Sequence, residues 1–201
     1  ISMVQTAEGA LSETVNVLQR IRELAVQSAN GTQSTNNREA LDAEVQQLIA
    51  QIDDISTNTE FNGLHVLSVN QTITLQAGAQ ASQTLTIMMN GARAADLRVS
   101  AITISTHNAA ASSISVMDLA IRSVNTLRSL LGAFQNRLEF SINTLAIQEE
   151  NSAFSEAQIR DADIARETIA FTRNQILVSA GTTVLAQANT IPQSALQLLG
   201  G

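Results

Sequence analysis

The sequence predicts a mainly α protein: an elongated antiparallel helical bundle or coiled-coil rod with a small β-hairpin region. Apolar residues recur at three- and four-residue steps over long stretches, which is the pattern of a helical seam. Of the 201 residues, 44% are hydrophobic but only 2% aromatic, with no Trp and no Tyr. Ala, Leu, Ile and Val must then do the packing, and these suit close helix-on-helix contact. Between the second and third helical stretches the period switches to β-branched alternation.

The chain opens inside a seam. Val4, Ala7, Leu11, Thr14, Leu18, Ile21, Ala25 and Ser28 alternate steps of three and four, with Gly31 after Asn30 expected to end the helix as a left-handed C′ residue. No capping box precedes Ile1, so the natural helix is expected to start upstream. Thr32 to Asn37 is turn material, and Asn36 with Glu39 resembles a capping box. The second helix sets Leu41, Val45, Leu48, Ile52 and Ile55 on one side, with Asp42, Glu44, Gln46, Gln47, Asp53 and Asp54 largely outside it. Two helices joined by so short a loop should lie antiparallel.

Around Phe61-Asn62-Gly63 the pattern becomes strand-like, through Leu64 to Val69, Gln71 to Gln76 and Gln83 to Met88. Asn90 to Ala111 reads as irregular, with room for one short strand at Val99 to Ile104. A third long helix is expected from Ser113, capped by Ser112 or Ser113, with Ile114, Met117, Ile121, Val124, Leu131, Leu138, Ile142 and Leu145 in its seam. Leu127 and Phe134 take over where Arg128 and Gln135 interrupt it. The last stretch, Ile159 to Leu199, reads as one amphipathic helix that can run unbroken to Pro192, followed by an apolar tail. The expected organisation is 1–90 for the first helices and hairpin and 91–112 for a connector. Residues 113–158 form the partner helix of the first part, and 159–201 a terminal helix in need of a partner.

Charge and composition narrow the function. Eleven basic against eighteen acidic residues give a net charge of −7 with no Lys, the reverse of a nucleic-acid binder's footprint. No Cys is present, which excludes disulfides, thiol chemistry and Cys-based zinc sites. His65 and His107 have no ligand spacing to each other, and Asp53-Asp54 and Asp161/Asp163 read as solvated faces or ion pairs. Neither a phosphate loop nor a nucleophile constellation occurs. The reading is a non-enzyme with no catalytic residue, cofactor or metal.

Several of these segments closely resemble bacterial flagellin. They are Gln5-Thr6-Ala7-Glu8-Gly9-Ala10-Leu11, Leu18 to Gln27, Phe61-Asn62-Gly63, Leu131 to Leu138, Ile159-Arg160-Asp161-Ala162-Asp163 and Ala180 to Asn189. They follow the family's order and spacing over nearly all the chain except roughly Gly91 to Ala111. The chain is similar to a minimal flagellin in which 91–112 stands in place of variable outer domains, and the expectation is that it lacks the family's N-terminal core segment and so fails to form ordinary filaments. The resemblance implies a secreted, extracellular subunit of the flagellum or cell surface. Implied partners are other copies of itself, a flagellar export chaperone and a cap protein. Recognition by the Toll-like flagellin receptor is implied at the positions matching Arg20, Leu24 and Glu44, with Leu24 expected as an exposed anchor between charges. Assembly is expected through Ile176, Ala180, Val184, Leu185, Ala188, Leu196 and Leu199. The alternative is a flagellin-like surface protein that binds a polysaccharide or host receptor.

Overall fold

The computed structural model describes residues 1–160 and 163–200, with the side chains of 191–199 outside the description. In order, the elements are α1 (Ser2–Ser28), α2 (Thr35–Asn58), β1 (Glu60–Phe61), β2 (Leu64–His65), β3 (Gln71–Gln76), β4 (Thr84–Met89), α3 (His107–Arg160) and α4 (Ile164–Leu199). Two compact units result, Ile1–Ala146 and Ile147–Gly201.

All eight seam residues expected in α1 are buried. The helix stops at Ser28 with Ala29 as its right-handed C-cap. Gly31 is not the left-handed residue expected, since Gly63 is the one described glycine at positive φ. Another device closes this helix end. The Arg38 guanidinium donates to the carbonyl oxygens of Ser28 at 2.8 Å and Asn30 at 3.0 Å, satisfying acceptors that a helix C-terminus leaves open. A glycine cap is then unnecessary.

The cap of α2 is Ser34, two residues before the Asn36 expected, and its hydroxyl accepts the Asn37 N–H at 3.2 Å. Ser and Asn are near-equal caps, so local sequence cannot separate them. Arg20 on α1 meets Glu44 on α2, which fixes the pair as antiparallel. Buried positions on α2 are Val45, Ile49, Ile52 and Ser56, with Leu41 and Leu48 packed at the margin. Ile49 and Ser56 were absent from the expected stripe.

β1 and β2 form a two-residue hairpin in which Phe61 opposes Leu64. Asn62 (φ 52°) and Gly63 (φ 77°) both take the left-handed conformation that a type I′ turn requires. Leu64 to Val69 gives only the two-residue β2, after which Val66 and Leu67 turn into the core. β3 and β4 pair antiparallel from Gln71↔Met89 to Gln76↔Thr84. Ile73, Leu75, Leu85, Ile87 and Met89 face the core, while the threonines alternate outward.

Residues 90–106 contain no strand, and Val99 to Ile104 is not the strand expected. The segment is nonetheless core: Ala92, Ala94, Val99, Ile102 and Ile104 are buried. Its backbone groups have no neighbouring strand, so side chains from distant elements take their place. Asp53 accepts the Ala94 N–H at 2.8 Å and Asp42 accepts the Ile104 N–H at 2.6 Å. Gln46 donates to the Ile102 carbonyl at 2.9 Å, Ser28 to that of Ile104 at 2.5 Å and Ser113 to that of Thr103 at 3.1 Å. Asp42, Gln46 and Asp53, expected on a solvated face, therefore hold this segment in position.

α3 begins at His107, six residues before the Ser113 expected, with the Thr106 hydroxyl accepting the Ala109 N–H at 3.2 Å. Ala110, Ser113, Met117, Ala120, Val124, Leu131 and Phe134 are buried, and Leu127 is partly buried between them, which extends the heptad seam. Arg22 pairs with Asp118 at 2.8 Å and Glu8 with Arg128 at 3.5 Å. As position rises on α1 it falls on α3, so these helices too run antiparallel. The bundle core lies among α1, α2, the first part of α3 and the β segments.

Ile159 to Leu199 is not a single helix. α3 ends at Arg160, and α4 starts afresh at Ile164, where the Asp163 carboxylate accepts the N–H groups of Ala165 and Arg166. An acidic N-cap also suits the positive end of the helix dipole. α4 continues past Pro192 to Leu199, although the proline was expected to stop it. A proline removes only one intrahelical hydrogen bond, and the turns on either side keep theirs.

Candidate functional site

The receptor candidates divide by burial. Arg20 and Glu44 are half-exposed, and the Arg20 Nη2 and Nε donate to the same Glu44 oxygen at 2.9 Å and 3.2 Å, with Glu23 at 3.5 Å. The hydrogen bond that Arg20 donates to Glu44, and then the Glu44 charge, raise the Arg20 pKa above its ordinary value, so the patch carries a cation between two carboxylates. Leu24 differs: it is 1% exposed and part of the core. The expectation of an exposed Leu24 anchor fails because Leu24, one helical step from Ile21 and next to Ala25, is buried with them in the core.

The assembly candidates lie in the open. Ile176 is 63% exposed, Val184 67% and Leu185 65%, and Ala180 and Ala188 are also exposed. Leu196 and Leu199 fall where side chains are outside the description. A second row on the same helix, of which the assembly candidates include only Leu185, is formed by Ile164, Phe171, Val178 and Leu185, which recur every seven residues and are all exposed. Because 200° separates Ile176 from Val178 on a helix, α4 is apolar on opposite faces and is not the one-sided amphipathic helix expected. No charged residue follows Arg173. Even so, no helix among the described residues is long and apolar enough to cross a membrane.

α3 beyond Leu138 exposes Ile142 and Leu145, both expected in its seam, together with Phe140 and Ile147, which continue at seven-residue steps the exposed row of Leu119, Thr126 and Ala133. Within the first unit, Leu11, Leu67, Met88, Leu130, Leu131 and Phe134 line an apolar cleft of about 290 Å³. Met88 and Leu130 stand exposed at its rim. Among the described residues no group of three or more His, Cys, Asp or Glu gathers as a metal site. The chemistry these surfaces offer is burial of aliphatic side chains.

Residues 1–72 match the family model of the bacterial flagellin N-terminal helical region, and residues 114–199 that of the bacterial flagellin C-terminal helical region. The chain is 40% identical to the flagellar filament 33 kDa core protein of Treponema phagedenis, covering 99% of this chain and 76% of that one. It is 43% identical to a flagellin of Halalkalibacterium halodurans, over 99% and 74% respectively. The fold is similar to the crystal structure of Bacillus cereus flagellin, with a TM-score of 0.60 and 30% identity over 77% of this chain and 90% of that one.

Proposed function

Because the chain belongs to the bacterial flagellin family and is a structural subunit of the flagellar filament that serves motility, we propose that α4, with the uncovered turns of α3 after Leu138, is the surface through which copies join. The observation that carries this reading is the exposure of apolar residues on opposite faces of α4. A helix apolar on opposite faces needs cover on more than one side, which fits a position among several neighbouring subunits. Burying about 500 Å² of it would contribute roughly 12 kcal/mol before ordering costs. The cleft beside Met88 offers a further contact for an apolar side chain.

The test is co-sedimentation with sheared flagella. A variant carrying Ile176→Asp and Val178→Asp places a charge on each face, and its loss from the filament pellet at unchanged cellular amount is the expected result. Normal incorporation would overturn the assignment.

The same uncovered helix supports the remaining partners. An export chaperone would shield α4 before assembly, a cap protein would direct its insertion at the filament tip, and secretion would deliver the subunit to the extracellular flagellum. For the Toll-like flagellin receptor, the exposed Arg20–Glu44 pair is the direct contact and Leu24 supports it from within the core. Receptor signalling that falls in Arg20→Ala with unchanged thermal unfolding supports this; signalling insensitive to that change removes it.

A further inference from the structure

Three Asn-Gly pairs occur in the chain: Asn30-Gly31, Asn62-Gly63 and Asn90-Gly91. Glycine has no side chain to crowd the peptide nitrogen, so such pairs are open to attack by that nitrogen on the asparagine side chain. Their surroundings differ. The Gly91 N–H donates to Asn70 Oδ1 at 2.8 Å, and a Cβ on Gly91 would lie 2.5 Å from the Asp96 carboxylate, so this nitrogen is engaged and enclosed. Asn62-Gly63 is also exposed, with open space around Gly63, but it is held in the two-residue turn with both residues at positive φ. Asn30-Gly31 is exposed, with open space around Gly31.

Two hydrogen bonds favour reaction at this last pair. The Thr32 N–H donates to Asn30 Oδ1 at 3.2 Å, closing an Asx turn that spans Gly31. The Arg38 Nη2 donates to the Asn30 backbone carbonyl at 3.0 Å, the oxygen onto which charge moves when the Gly31 peptide loses its proton. Each donor therefore faces an atom where negative charge develops.

We propose that Asn30-Gly31 is a self-modifying site that converts to aspartate and isoaspartate in the folded protein. A hydroxide removes the Gly31 peptide proton, and the nitrogen's electron pair forms a bond to Asn30 Cγ while the Arg38 guanidinium stabilises the peptide anion. The Thr32 N–H holds the oxyanion at Oδ1. The Cγ–Nδ2 bond then breaks, Nδ2 takes a proton from water and ammonia leaves, closing a five-membered succinimide. Water adds at either ring carbonyl and opens it, with no change of oxidation state. The isoaspartate product inserts a methylene into the main chain between α1 and α2, where the Gln33 N–H donates to the Asn30 carbonyl at 3.1 Å. It also sets a new carboxylate beside Arg38.

The experiment incubates the whole folded protein at mildly alkaline pH and follows each pair by peptide mapping with isoaspartate detection. Asn30 is expected to convert about tenfold ahead of Asn62 and Asn90, and unfolding in urea is expected to bring the three rates together. Gly31→Ala should slow conversion at Asn30 alone by about tenfold, because its methyl group crowds the attacking nitrogen. Arg38→Gln should slow it about fivefold, with Arg38→Lys restoring most of the rate. Conversion led by Asn62 or Asn90, the same order in urea, or a rate unchanged or raised in Arg38→Gln would overturn the proposal. The order of the three pairs in the unaltered protein decides the matter even if a variant fails to fold.

Discussion

Replacing Asp42 by alanine tests whether the irregular segment 90–106 is held by side chains in place of a sheet. One Asp42 oxygen accepts two hydrogen bonds, from the Ile104 N–H at 2.6 Å and the Thr103 hydroxyl at 2.9 Å. Ile104 is fully buried, so its N–H finds no water when the carboxylate is removed, whereas the exposed Thr103 hydroxyl is resolvated. The loss is then mainly that of one buried donor left unpaired, about 2 kcal/mol. With a urea slope of about 2 kcal/mol per molar for a unit of this size, the unfolding midpoint should fall by about 1 M at unchanged slope. Asp42→Asn retains an acceptor at the same place and should lose roughly half as much. Equilibrium urea unfolding followed by far-ultraviolet circular dichroism measures both. A midpoint shift below about 0.2 M for Asp42→Ala, or equal shifts for the two variants, would refute the reasoning.

Leu24→Ala should destabilise the first unit by about 3 kcal/mol through lost packing, while Arg20→Ala should change it by less than about 1 kcal/mol because the ion pair is exposed; thermal unfolding of both separates core from surface. Met117→Ala, fully buried on α3 beside the Arg22–Asp118 pair, should cost about 3 kcal/mol in the same assay. Gly63→Val should cost about 2 kcal/mol, since a β-branched residue at that positive φ is strained, and an unchanged urea midpoint would argue against the tight turn.

The helices were legible because their cause is local. The α1 seam reads directly from alternating steps of three and four, and Thr14 keeps that step by returning its hydroxyl to the Ala10 carbonyl at 3.0 Å. Ends and irregular parts were less legible because their causes lie elsewhere in the chain. Arg38 closes α1 from ten residues away, and Ser28 reaches a carbonyl 76 residues on; neither has a local signature. The early start of α3 was hidden by small residues, since Ala110 carries little hydrophobic signal yet is fully buried. At the candidate surfaces, periodicity identified Ile176, Val184 and Leu185 as apolar and their exposure followed. The same periodicity could not say which way Leu24 faces, because α1 packs against both α2 and α3. The row from Ile164 to Leu185 was readable in its seven-residue spacing and was obscured by the apolar residues between its members.

The pairing of Arg22 with Asp118 spans 96 residues, and this sets an order of events. α1 is made early, but the helix that completes its seam is synthesised last within the first unit. Contacts of such long sequence separation form late and slowly. During that interval the side of α1 that α3 covers is open, while its pairing with α2 needs only the first 58 residues. The distance between the two halves of the seam thus makes completion of the first unit depend on a helix that is synthesised late.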